Sequence, residues 1–186
     1  MEKHYSLAIY PSEDLISLIR SMKEQLAKEV GWFHSKNSVG HITIGEFKAT
    51  DKEIAIIKNK LSRLCDSLEP VEVYLNGFDS YPNGAFFISP DQDSKNSLKP
   101  IMKRFHESLR IPNMQKSDDP HLSIARRLTP EKLEKAKSLF TTIDVDFLCD
   151  SVVLRKFDEH IKQFAVIDEF KFNSNPQQEP IQGILF

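Results

Sequence analysis

The chain is poor in the residues that announce a specialised scaffold. Two cysteines in 186 residues cannot build a disulfide framework, and Cys65 and Cys149 lack metal-ligand spacing. Both are expected to be reduced and partly buried, as free cysteines tend to be. Glycine is scarce, with six copies, and the sequence holds no Gly-rich phosphate loop, no HExxH and no nucleophile elbow. No stretch approaches the roughly 20 apolar residues of a membrane-spanning helix. The N-terminal apolar run stops at Pro11 and turns acidic, unlike a secretory signal, so a cytoplasmic protein with no membrane partner is expected. Nor is there a surplus of one charge. Twenty-five Lys and Arg face 27 Asp and Glu, a net charge of −2. Proteins that grip long nucleic-acid backbones carry a basic excess, so any nucleic-acid work here should concern an end or a small fragment. Lys95, Lys99, Lys103 and Arg104 read as a solvated helix face. What is present is ordinary: 40% hydrophobic and 28% charged residues, enough for one domain or two similar lobes.

The chain repeats itself. Tyr5–Tyr10 alternates like a strand and is followed by Pro11-Ser-Glu-Asp and a helical stretch, Leu15 to about Val30. Gly84–Ser89 does the same, followed by Pro90-Asp-Gln-Asp and a helical stretch, Leu98 to about Leu109. Gly40-His-Ile-Thr-Ile-Gly then matches Pro120-His-Leu-Ser-Ile-Ala. Each is followed by a capping candidate, Thr50 (with Glu53 at capping-box spacing) and Thr129. Second helices are expected over about 51–66 and 130–140. Strand-like sequence returns at Val71–Phe78 and Val145–Phe157, with a further strand at Ile161–Ile167. The plan is an α+β fold: β-α-β-α-β twice, two lobes related by a pseudo-twofold about a central cleft. The domain is expected over residues 1–172, with lobes near 1–80 and 81–172 that can exchange strands. Residues 173–186 form a polar tail whose Ile184-Leu185-Phe186 end either docks or stays free.

The chemistry lies in His41-Ile42-Thr43-Ile44 and His121-Leu122-Ser123-Ile124. Alternate strand residues share a face, so each strand presents an imidazole beside a hydroxyl and turns two apolar residues to a core. With six histidines, a chance double occurrence of this pattern is on the order of 0.006. Two imidazoles facing each other suit in-line displacement at phosphorus. A neutral one takes a proton from the attacking oxygen, and a protonated one gives a proton to the departing oxygen. The hydroxyls donate hydrogen bonds to the non-bridging oxygens. No cofactor is required. A metal site on the two histidines lacks a carboxylate partner in the motifs.

The paired motifs, their 80-residue separation and the duplicated layout resemble the two-histidine phosphoesterase superfamily, closest to its bacterial 2′-5′ RNA ligase and cyclic phosphodiesterase branch. The resemblance spans about Tyr5 to Ile167 and, outside the tetrapeptides, is one of layout. It implies a bilobal fold with both motifs lining a cleft, and action on 2′,3′-cyclic phosphates or 2′-5′ linkages of nucleotides or RNA ends. Carried over by position, His41 and His121 are the catalytic pair, and Thr43 and Ser123 bind phosphate. Relatives often place Arg five residues after the second His, here Arg126. Ideal alternation turns Arg126 away and puts Arg127 on the His face instead, unless a bulge intervenes. Glu46 stands where the first motif's equivalent of Arg126 would be, facing solvent or a sugar hydroxyl. A non-catalytic module binding RNA ends or nucleotides in the same cleft is the alternative, and the chain is read as a monomer.

Gly45 and Ala125 fall on the His faces, where they either leave room for a ligand or permit close packing. His4, His106 and His160 read as surface residues. His34, in Trp32-Phe33-His34-Ser35 before the first motif, is a candidate substrate contact, with Trp32 and Phe33 either stacking on a base or plugging the core. Phe47 shares the ideal face of His41 and is a weaker stacking candidate. Tyr81 reads as a turn residue.

Overall fold

The computed structural model describes residues 1–176. The expectations for the end of the tail, Ile184-Leu185-Phe186 included, lie outside these residues. The elements run β1 (Lys3–Ile9), α1 (Glu13–Val30), β2 (Ile42–Ala49), α2 (Asp51–Asp66), β3 (Val71–Tyr81), β4 (Ala85–Pro90), α3 (Gln92–Leu109), β5 (Gln115–Lys116), β6 (Leu122–Ala125), α4 (Pro130–Leu139), β7 (Val145–Cys149), β8 (Ser151–Asp158) and β9 (Gln163–Lys171). This is the expected α+β architecture, a curled antiparallel sheet with four helices. Among the described residues no helix is long and apolar enough to cross a membrane.

Local chemistry sets the helix boundaries. Ser12, Thr50, Asp91 and Thr129 each accept from a backbone N–H three residues on, satisfying a first-turn donor. Thr50 and Glu53 complete the reciprocal capping box. Helix α3 begins six residues earlier than its apolar stripe suggests. Asp91 caps it through Ser94 N at 2.8 Å, and Pro100 is accommodated inside. The strand-like run Val145–Phe157 breaks at Asp150 into β7 and β8.

The strand order is β7-β3-β4-β6-β2-β1-β8-β9, with β5 paired to β2. The chain thus interleaves: β3 lies between β4 and β7, and β8 and β9 return to β1. Tyr5, Leu7 and Ile9 of β1, Ile42 and Ile44 of β2, and Leu122 and Ile124 of β6 are buried in one core with Ile19 and Leu26 of α1, Leu61 of α2 and Phe105 of α3. At roughly 1.5–3 kcal/mol per fully buried large apolar side chain, this layer supplies the main folding drive. Cys65 and Cys149 lie within it as free thiols, which burial pushes up to about 12 and renders unreactive at neutral pH. At the end of β9, Phe172 is buried, and Asn173 and Asn175 both donate to Asp66 at the C-terminus of α2.

Two glycines of the β3–β4 hairpin separate backbone necessity from tolerance. Gly84 turns the β3–β4 hairpin at φ +80°, and a Cβ there would lie 2.7 Å from Leu128 N and closer still to Leu128 O. Gly77 sits where β3 shifts register, with nothing near its missing Cβ. Gly84→Ala should cost at least ~2 kcal/mol, while Gly77→Ala should stay within about 1 kcal/mol of the parent. Urea denaturation of the two variants checks this.

Candidate active site

The two motif strands lie side by side in antiparallel register, Ile42 opposite Leu122. Each then carries a β-bulge at the same place. Along β1, Ala8 pairs with Thr43 and Leu7 with Gly45, so Ile44 is passed over. Along β4, Phe87 pairs with Ser123 and Phe86 with Ala125, so Ile124 is passed over. An extra residue reverses which face the following side chains take. Two rows of cross-strand neighbours therefore run from each motif across its adjoining strands. On one side they are Thr43-Ala8-Val153 and Glu46-Ser6-Arg155. On the other they are Ser123-Phe87-Asp79 and Ala85-Tyr81, with Arg126 one residue beyond the Ala125–Phe86 pair.

His41, Thr43, His121, Ser123 and Arg126 line one cleft of about 740 Å³. The bulge turns Arg126 back toward the cleft. Arg126 lies in the cleft, where unbroken alternation would turn it away, and Arg127 reaches the same cleft from a left-handed backbone, φ +56°. The same reversal corrects the expectation for Phe47 and places Gly45, Ala125 and Glu46, for which the sequence left alternatives open. Phe47 is buried against Tyr5 in the core, ring centroids 5.9 Å apart, and is not a cleft residue. Gly45 and Ala125 face packing partners, not ligand. A Cβ on Gly45 would collide with Met114, and Ala125 is fully buried. Glu46 lines the cleft, with its carboxylate 3.4 Å from His4 Nε2.

The imidazoles are held alike. His41 Nδ1 donates to Val39 O at 2.6 Å, and His121 Nδ1 donates to Asp119 O at 2.8 Å, each two residues upstream. A carbonyl only accepts, so Nδ1 carries the proton and Nε2 of the neutral ring keeps its lone pair. Burial, reinforced by the Arg155 charge, holds His41 well below the usual imidazole range. Burial also lowers His121, opposed by the Asp119 carbonyl and carboxylate. The loop that supplies Val39 is anchored by Lys23 of α1, whose buried amine donates to Ser35 O and Ser38 O at 2.9 and 2.8 Å. Burial brings that amine down to about 8.

Several residues depart from their sequence reading. Tyr81 is a cleft residue and not a plain turn residue. Its hydroxyl donates to Asp119, and its ring meets His121 edge-on at 5.5 Å. Phe87 also lies against His121, at 4.8 Å, and against Tyr81, at 4.6 Å. Arg155 of β8 also lines the cleft, and a single arginine among Val152, Val153 and Leu154 was the available signal for it. His106 is buried, and its Nε2 donates 2.8 Å to Ile44 O, the carbonyl of the bulge residue itself. His4 packs against Phe157 and Phe164 and is half-buried. His160 is exposed in the β8–β9 turn, as expected. Phe33 plugs the core, whereas Trp32 is 64% exposed and stands against His34, which lines the cleft. Among the described residues no group of three His, Cys, Asp or Glu side chains is placed to hold a metal ion.

Because Ile44 O accepts from both His106 Nε2 and Ser117 N, His106 is part of what holds the first bulge. His106→Leu should cost about 1–3 kcal/mol, the price of an underbonded buried acceptor. That corresponds to a fall of roughly 2–12 °C in Tm by calorimetry.

Comparison with known proteins agrees with this geometry. A family model described as the 2′-5′ RNA ligase superfamily matches residues 11–161. A Staphylococcus epidermidis protein named "Putative phosphoesterase SERP0604" is 22% identical over 167 residues, covering 88% of this chain and 96% of its own length. Among solved structures, E. coli LigT complexed with 3′-AMP superposes with a TM-score of 0.64 at 9% identity, covering 92% of this chain and 99% of LigT. TT0787 of Thermus thermophilus superposes with a TM-score of 0.58 at 15% identity, covering 93% of this chain and all of that one. LigT has also been crystallised with NADP+ and with ATP.

Proposed function

The chain belongs to the 2′-5′ RNA ligase superfamily, and from that premise we propose that it is a metal-independent phosphodiesterase acting on 2′,3′-cyclic phosphates or 2′-5′ linkages of nucleotides or RNA ends. The observation that carries this reading is the pair of His-x-hydroxyl strands lining one cleft, both imidazoles clamped in the same tautomer. The binding of 3′-AMP, NADP+ and ATP by the structurally similar LigT supports a nucleotide as ligand.

For a 2′,3′-cyclic phosphate, water attacks phosphorus while one Nε2 takes its proton. The bond to the 2′ or 3′ oxygen breaks, and the other imidazolium gives that oxygen a proton, leaving a monoester. His41 is the base, because burial and the Arg155 charge keep it neutral. We assign His121 as the acid: burial lowers it too, but the Asp119 carboxylate partly offsets burial there, whereas the Arg155 charge adds to it at His41. Thr43 and Ser123 donate to the non-bridging oxygens, and Arg126 offsets the charge that develops there.

His41→Ala or His121→Ala should lower kcat about 10²–10⁴-fold, roughly 3–5 kcal/mol of barrier. The double variant should cost less than the sum, since the two act as a unit. Activity should persist in EDTA. In the free protein both imidazoles are shifted down, so the bell of kcat/KM against pH should peak below the ordinary imidazole value of about 6.5. A bound anion favours imidazolium and raises both values, so the kcat bell should lie at higher pH. Steady-state assays on 2′,3′-cyclic nucleotides and cyclic-phosphate RNA ends decide this. Well-folded single variants with near-parental turnover would sink the reading, and binding of these ligands without turnover would leave a binding module.

A further inference from the structure

The pseudo-twofold matches the two sides of the cleft residue for residue, and the match exposes a transposed charge. Thr43 corresponds to Ser123 and Glu46 to Arg126 by position after the two motif histidines, while Arg155 and Tyr81 reach the cleft from the strands beyond β1 and β4. The second motif supplies its own cation from its own strand. The first motif supplies an acid there, and the cation comes from two strands away, on β8. Arg155 is only 2% exposed. One Nη donates to Ser6 Oγ at 2.6 Å, and the guanidinium lies 5.1 Å from the Phe164 ring centroid and 5.8 Å from that of Tyr10. Its Nε has no hydrogen-bond partner among the described residues. The acid whose charge reaches it, Glu46, turns its carboxylate to His4. A buried guanidinium with an idle donor and no carboxylate partner is costly unless a ligand completes it.

We propose, building on the phosphodiesterase reading, that Arg155 holds a second phosphate of the substrate, beside the one set between His41 and His121. Its position argues for a separate group. Thr43 and Ser123 lie on β2 and β6, whereas the Ser6 hydroxyl that fixes Arg155 lies on β1. The guanidinium therefore stands about one strand spacing, ~5 Å, from β2 and about two from β6. That is a separation the two phosphates of a nucleoside bisphosphate, or adjacent phosphates of an oligonucleotide, readily span. The surroundings suit such a ligand. Lys116, Arg126, Arg127, Arg155 and Lys162 line the cleft against the single carboxylate of Glu46, although the chain as a whole carries a net charge of −2. Arginine also fits phosphate better than lysine does, through its planar fork.

Equilibrium binding of three ligands tests the proposal without requiring turnover: adenosine 3′-monophosphate, adenosine 3′,5′-bisphosphate and the dinucleotide ApA 3′-phosphate. The parent should bind at least one of the two-phosphate ligands roughly 10–100-fold more tightly than the monophosphate. A gain for the bisphosphate assigns the site to a terminal 5′-phosphate, and a gain for the dinucleotide alone assigns it to an internal one. Arg155→Gln should reduce that preference to within about threefold, weakening the preferred ligand much more than the monophosphate, and Arg155→Lys should fall between. Equal affinities in the parent, a preference that survives Arg155→Gln, monophosphate affinity lost as heavily as the others, or no binding at all would each overturn it. The parent comparison stands even if the variants fold poorly. Hydrolysis of 2′,3′-cyclic adenosine monophosphate, measured separately, bears on the phosphodiesterase reading alone.

Discussion

Strands β2 and β6 run side by side at Ile42 and Leu122 and then part, and the cleft depends on that brief contact. Past it, β2 pairs with the two residues of β5, and Ser117 N closes onto Ile44 O. The apolar residues of this contact are buried among the helices, so His41, Thr43, His121 and Ser123 are forced onto the opposite face. Bulges at Ile44 and Ile124 then switch the faces once more and bring Glu46 and Arg126 into the cleft. A single register slip would move the hydroxyls to the core and the isoleucines to solvent, which is why burial fixes the register so firmly.

The electrostatics follow from this placement. Both imidazoles lie where burial disfavours their charged forms, and both direct Nδ1–H into a backbone carbonyl. Each ring is thereby oriented with the same nitrogen available to the cleft. The surrounding cations push in the same direction as burial, so a bound anion has much to neutralise. The asymmetry between the halves resides in their neighbours. Asp119 and Tyr81 stand beside His121, while Arg155 stands near His41. That difference sets two residues of one type in unlike electrostatic surroundings.

Much of this was legible in the sequence because duplication leaves order and punctuation behind. The two His-x-hydroxyl tetrapeptides, the Thr50 and Thr129 caps and the strand-helix alternation all follow from local preferences acting within a few residues. The losses share one cause. A bulge depends on the neighbouring strand, so strict alternation misplaced Phe47, Gly45 and Ala125 and favoured Arg127 on geometry. His106 looked like a flanking helix residue because its acceptor, Ile44 O, is 62 positions away. Tyr81 and Arg155 reach the cleft from β3 and β8, outside both motifs.

The central claim is that His41 and His121 serve one shared anion. Long-range 1H–15N NMR of the imidazoles, followed through a titration with adenosine 3′-monophosphate, tests it most directly. The account predicts that both rings begin as the Nδ1–H tautomer, respond along one binding isotherm, and have their pKa values raised by the ligand. Two different isotherms, a response from one ring alone, or a free Nε2–H tautomer would contradict it.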